Sequence, residues 1–252
     1  MLSEIEIEKI EHKYLKKFYH FLKYSEDEML YGFDTKEKIK KDWIGEYKSG
    51  ISDFAVGAER IVYALLNGKG IGQPNSCPVG SDLFFEVKDA FVHIDLKTVQ
   101  TENIGDYKGS IFVGKNQNSY KSEIKQYDGS SFNPKRNYHP ALPTFYNKGT
   151  DQEKICLTYF VTILYERENL NILNINIISM PNGELANHYK SRVLKAGKNP
   201  DKTRFNLVET STFELLENTP SRIKVIYFNE EMSKEYRDDL NFYEEIYSKQ
   251  NN

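Results

Sequence analysis

Three residues suited to phosphoryl-transfer chemistry lie within one short stretch. Asp82 precedes the run LFFEV, and Asp95 and Lys97 stand two apart in AFVHIDLKTVQ. Lys88-Asp89 separates the two apolar runs, which predicts two adjacent antiparallel strands joined by a tight turn. Strand side chains alternate between faces. Asp95 and Lys97 therefore share a face with Phe91 and His93, while Val92, Ile94 and Leu96 take the other. The turn falls midway between Asp82 and Asp95, so antiparallel pairing brings the two acids together.

Two carboxylates and an ammonium in this arrangement suit metal-assisted hydrolysis of a phosphodiester. Mg2+ takes hard oxygen ligands in near-octahedral geometry and keeps several waters. A bound metal polarises a phosphoryl oxygen and lowers the pKa of its water. A lysine alongside can hold the attacking water or stabilise charge at phosphorus. The plainer reading is an ion pair on a solvated strand face, worth little, with Asp82 a turn residue after Gly80.

Ser81-Asp82, twelve residues, then Asp95-Leu96-Lys97 resembles the pattern of the PD-(D/E)XK nucleases, best known from type II restriction endonucleases. Ser81 stands where that pattern has proline; the nearest proline is Pro78. The resemblance implies a Mg2+ site at Asp82, Asp95 and Leu96, with Lys97 orienting or activating water. It implies an α/β fold, a mixed central β-sheet flanked by helices, restriction-endonuclease-like. It also implies sequence-specific hydrolysis of double-stranded DNA by a homodimer, since a two-fold enzyme can cut both strands of a palindrome. Two alternatives stand beside it: a repair or structure-specific nuclease of the same chemistry, and a non-catalytic DNA-binding protein.

The elements around the hairpin must position these residues. Residues 3–24 carry an apolar stripe at helical spacing, with Ser3 and Glu6 placed for a capping box. Ser25 to Asp34 reads as a polar stretch, and Thr35 to Tyr47 as a Lys-rich helix with a solvated or phosphate-facing side. FAVGAERIVYALLNGKG reads as a buried helix capped by Ser52 or Asp53 and ended by Gly68. Glu59 lies inside it, where a carboxylate is costly to bury unpaired. By the resemblance it assists at the metal; otherwise it pairs with a lysine or faces solvent. Residues 70–80 form a turn-rich connection into the hairpin.

Residues 101–150 are polar and proline-interrupted, with a helix expected within Lys115 to Tyr127. Asn116, Gln117, Asn118, Lys135, Arg136 and Asn137 are candidate DNA contacts, as amides can bond adenine and arginine can fork onto guanine. KICLTYFVTILY and LNILNINIISM read as buried strands that complete the sheet, with Cys156 packed in the core. Residues 188–207 hold Lys190, Arg192, Lys195, Lys198, Lys202 and Arg204 against Asp201 alone, a net +5 and the densest basic segment. They are candidate phosphate contacts, with a solvated basic surface as the alternative. RIKVIYFN reads as a strand and residues 230–249 as an acidic helix that packs on the core or at a dimer contact.

Composition bounds the rest. A chain of 252 residues with 18 Tyr and 15 Phe suits a single domain with a sizeable core. Its parts read as a helical 1–50, a catalytic helix and hairpin in 53–100, a polar DNA-contact region in 101–150, and the remaining sheet, basic loop and final helix in 151–252. The net charge of −3 means that a DNA-binding face depends on local charge segregation. Cys77 and Cys156 lack metal-ligand spacing, the acidic start is unlike a signal peptide, and no apolar run spans a bilayer. The expected localisation is cytoplasmic.

Overall fold

The computed structural model of the chain describes residues 2–39, 42, 51–74, 80–124, 135–199 and 201–251. The later part of the Lys-rich helix expected within Thr35 to Tyr47, and the prolines Pro78, Pro134 and Pro200, lie outside these residues. So does Cys77.

The chain opens with α1 (Glu4–Tyr24) and α2 (Glu26–Ile39), followed by α3 (Ile51–Asn67). Ser3 caps α1 in a complete capping box with Glu6, as the sequence predicts. α2 corrects the polar reading of residues 25–34. Met29 and Phe33 lie four apart and are buried, and Glu26, Asp27 and Glu28 in its first turn complement the helix dipole. On α3, Phe54, Ala58, Val62 and Leu66 form the buried stripe, and the Gly68 N–H closes the end on Ala64 O.

Among the described residues twelve strands follow: β1 (Gln73–Pro74), β2 (Leu83–Glu86), β3 (Ala90–Gln100), β4 (Ser110–Phe112), β5 (Ser122–Ile124), β6 (Arg136–Tyr138), β7 (Phe145–Tyr146), β8 (Lys154–Tyr165), β9 (Ile172–Met180), β10 (Leu194–Ala196), β11 (Thr203–Asn206) and β12 (Ile223–Phe228). Among the described residues the main sheet runs β1-β2-β3-β8-β9-β12, with β7 also on β8. β3 and β8 pair in parallel over the whole of β3, and the other pairs in this sheet are antiparallel. The sheet is therefore mixed, and helices flank it.

A parallel neighbour requires a crossover. Residues 101–153 make it, and among them the described residues hold 3-10 segments and short strands, with no α-helix in the described part, 115–124, of the stretch Lys115 to Tyr127 where one is expected. Among the described residues of that stretch only Lys115–Gln117 is helical, as a single 3-10 turn. The basic segment folds as the β10–β11 hairpin and joins β4 in a second, three-stranded sheet. Phe205 of this sheet packs on Phe160 of β8, ring centroids 6.5 Å apart. α4 (Ala186–Tyr189) is one short turn, and the acidic C-terminal helix divides at Leu240 into α5 (Lys234–Asp239) and α6 (Asn241–Asn251). The α6 side chain of Gln250 pairs with the edge strand β12, accepting from Val225 N at 3.1 Å and donating to Val225 O at 3.0 Å.

A buried charge cluster ties the ends of the chain together. Arg222, beside β12, is fully buried and donates to Glu11 at 2.7 Å and Glu8 at 2.9 Å, both on α1. The Tyr189 hydroxyl shares the Glu8 oxygen with Arg222, and the backbone N–H groups of Leu215 and Asn182 satisfy the remaining oxygens of Glu8 and Glu11. Burial raises the Glu11 pKa while Arg222 opposes the shift, and the two acids raise that of Arg222 against burial. No helix among the described residues is long and apolar enough to cross a membrane.

Candidate active site

The β2–β3 register decides where the acids fall. Leu83 pairs with Ile94 and Glu86 with Phe91, so Asp82, one residue before the ladder, faces Asp95. Val87 N donates to Ala90 O at 2.9 Å and closes the turn. Asp89 at its tip is held by Lys13 at 2.6 Å and by the Tyr14 hydroxyl, which docks the hairpin on α1.

Asp82 is exposed, and its Oδ2 accepts from the backbone N–H of Leu96 at 2.6 Å. Leu96 thus meets the site through its main chain, and its side chain is buried in the core. Asp95 is only 3% exposed. One of its oxygens pairs with the Lys97 ammonium and the other accepts from Gln117 Nε2 at 2.9 Å. Burial pushes the Asp95 pKa up to about 6; Lys97 opposes the shift and Asp82 adds to it. Glu59 reaches the same cluster from α3: its pKa is raised by burial and by Asp82, against the pull of Lys97. The hairpin thus unites Asp82, Asp95 and Lys97, with Glu59 electrostatically coupled to them.

The surroundings of Lys97 are part polar and part aromatic. Lys97 pairs across the sheet with Thr162, and Thr162 with Asn176. Asn176 Nδ2 donates to the buried Tyr107 hydroxyl at 2.8 Å. The Lys97 ammonium lies 5.7 Å from the Phe160 ring centroid and 5.9 Å from that of Phe112. His93, on the same face of β3, is fully buried. Ser81 Oγ lies 3.0 Å from its Nδ1, the Tyr146 hydroxyl 2.9 Å from its Nε2, and Phe84 stacks on the ring at 4.2 Å. Burial lowers its pKa to about 4. The serine in the proline position thus anchors the approach to Asp82.

Two carboxylates on adjacent strands fit Mg2+, which keeps several waters and needs no all-protein cage. Among the described residues no three His, Cys, Asp or Glu side chains close into such a cage. The donors are hard oxygens, and the ammonium on Asp95 marks where positive charge is accepted.

The expected DNA contacts separate into two groups. Arg136, Asn137, Lys198 and Lys202 line two clefts that meet at Phe112, whose ring is 41% exposed and 5.3 Å from the Lys202 ammonium. Asn116, Lys190 and Lys195 are exposed, as is Lys135, which pairs with Glu123 at 2.9 Å. Arg136 donates to Thr203 Oγ1 at 2.8 Å. Four residues have internal partners instead. Asn118 is buried and bonds Gly114 O, the Tyr138 hydroxyl and Tyr120 N. Arg192 forks onto Glu214, and Arg204 onto Asp106 and Ser110. Gln117 holds Asp95. Phe112 carries no charge or hydrogen-bonding group to mark it in the sequence; its place where the two clefts meet marks it in the fold.

Residues 3–169 match the N-terminal domain of the type II restriction enzyme MwoI, and residues 172–228 match its central domain. This chain belongs to the MwoI family of type II restriction enzymes. It is therefore a type II site-specific deoxyribonuclease by family. Among solved structures it resembles restriction endonuclease BglI, crystallised on its DNA recognition sequence, with a TM-score of 0.67 and 16% identity over 88% of this chain and 90% of that one. It also resembles tetrameric SfiI, crystallised on cognate DNA, with a TM-score of 0.68 and 15% identity over 92% of this chain and 88% of that one. At these identities the likeness is one of fold. No curated protein sequence matches the chain.

Proposed function

We propose that this restriction enzyme hydrolyses phosphodiester bonds of double-stranded DNA at a defined sequence, with Mg2+ held by Asp82 and Asp95. The observation that carries the reading is the strand register, which sets Asp82 against Asp95 while Lys97 pairs with the Asp95 carboxylate. Bound there, Mg2+ supplies Lewis-acid polarisation of the phosphoryl oxygen and acidifies a water. Lys97 orients that water and offsets charge at phosphorus. Glu59 assists at the edge of the site. Phe112 and the lysines around it receive the DNA, with Arg136, Asn137 and Asn116 nearest the grooves; BglI and SfiI, of like fold, are both seen on their own DNA sites. A homodimer suits cleavage of both strands of a symmetric site.

The test uses long, unmethylated DNA of known sequence, in Mg2+ and in EDTA, with Asp95→Ala alongside. Discrete fragments that require Mg2+ and disappear with Asp95→Ala are expected. Intact DNA that nevertheless shifts on a gel would favour a binding role without cleavage.

A further inference from the structure

We propose that Gln117 is the positioning residue for Asp95, and that it couples the metal site to the DNA-facing turn. The inference rests on the metal-site reading of Asp82 and Asp95 and goes beyond it. Gln117 Nε2 donates to Asp95 Oδ1 at 2.9 Å, while its Oε1 accepts from Gly114 N at 2.8 Å. Both ends of the amide are therefore fixed, which also fixes which end is the donor. Asp95 is 3% exposed, with Lys97 on one oxygen and Gln117 on the other, so Gln117 sets the orientation of the oxygen that Lys97 leaves.

The turn that carries Gln117 has two further ties. Asn118 Nδ2 donates to Gly114 O at 2.9 Å and to the Tyr138 hydroxyl at 2.7 Å, which braces the turn against β6. Asn116 lies against Gly80, whose φ is +72° and where a Cβ would meet the Asn116 amide at 2.1 Å. Gly80 is two residues before Asp82. One turn thus touches the chain leading into Asp82 and the side chain of Asp95, while Lys115 and Asn116 at its tip are exposed. Movement of the tip against DNA displaces both carboxylates together.

The sequence treats Gln117 as a DNA contact, and the two roles predict different results. Two properties are measured with the full chain: Mn2+ half-saturation in the presence of cognate DNA, by electron paramagnetic resonance, and metal-free DNA affinity by gel shift. Single-turnover cleavage is followed in parallel. Gln117→Met is expected to weaken Mn2+ binding 10- to 100-fold and to slow cleavage by a similar factor, about the range for partners of metal ligands. Metal-free DNA affinity should stay within about twofold, a range equivalent to less than 0.5 kcal/mol. If Gln117→Met does not fold, Gln117→Glu keeps the acceptor for Gly114 N and replaces the donor to Asp95 with a negatively charged oxygen. That variant is expected to move Mn2+ half-saturation tenfold or more and to slow cleavage.

Wild-type Mn2+ half-saturation in either folded variant overturns the proposal. A loss confined to metal-free DNA affinity overturns it in favour of direct DNA contact. Failure of the underlying reading shows separately: Asp95→Ala would then bind Mn2+ as the wild type does, whatever Gln117 does.

Discussion

Asp95 and His93 sit two residues apart on β3 and respond to acid in opposite senses. The Asp95 carboxyl rises from 3.8 to about 6 on folding, so the folded state favours its protonated form. Its contribution to stability is present at low pH and is lost as pH rises through that window. The His93 imidazole falls from 6.5 to about 4, so the folded state favours its neutral form. Its contribution is present above 6.5 and is lost as pH falls toward 4. Each effect is worth on the order of 3 kcal/mol at its limit. In the metal-free protein they largely cancel between pH 4.5 and 6, roughly the overlap of the two windows. Urea denaturation in EDTA should therefore give a stability nearly level in this range for the wild type. Asp95→Asn should uncover the His93 slope, with stability rising toward neutral pH. A level profile in that variant would show that His93 is not held neutral. Gln117 teaches the same lesson of context. Its amide looks like any groove-reading side chain in the sequence, and only the fold reveals that Asp95 engages it.

Elements built from local signals were legible in advance. The capping box of Ser3 and Glu6, the stop at Gly68, the alternation through β3 and the β-branched runs of β8 and β9 each act over a few residues. The β2–β3 hairpin is local too, so Asp82, Asp95 and Lys97 could be read together as one set. Elements decided by distant partners were not legible. α2 hides its Met29–Phe33 stripe among acids, and the acidic C-terminal segment gives no cue to its break at Leu240. Arg192 and Arg204 read as free positive charge because Glu214 and Asp106 lie 22 and 98 residues away. The Arg222 cluster is the extreme case, 211 residues from Glu11 and 214 from Glu8. Arg222→Met should destabilise the fold by about 3–5 kcal/mol, because two buried carboxylates lose their counter-charge. Converting Glu8, Glu11 and Arg222 together to apolar residues of similar size should recover most of that loss in the same urea titration. A single variant as stable as the wild type would show that the pair carries little.

Across the whole molecule, charge is sorted by location and not by total. The net charge is −3, yet Lys198 and Lys202 line the clefts beside Lys97 and meet at Phe112. Arg192 and Arg204 are neutralised within the fold. Lys198→Ala and Lys202→Ala should each reduce the slope of log affinity for DNA against log salt by about one and leave stability unchanged. Arg204→Ala should instead lower the melting temperature, since it removes hydrogen bonds to Asp106 and Ser110. If Arg204→Ala changed only the salt slope, the assignment of these charges would be reversed. The Arg222 cluster also governs the order in which the molecule can be completed during its synthesis. α1 leaves the ribosome well before Arg222, carrying two acids that need a buried cation. That cation follows 211 residues after Glu11 and 214 after Glu8. Until then α1 cannot settle on the sheet without burying unpaired charge, and the hairpin turn that docks on Lys13 and Tyr14 has no fixed support. A nascent chain therefore lacks a firmly seated β2–β3 hairpin until Arg222 has been made.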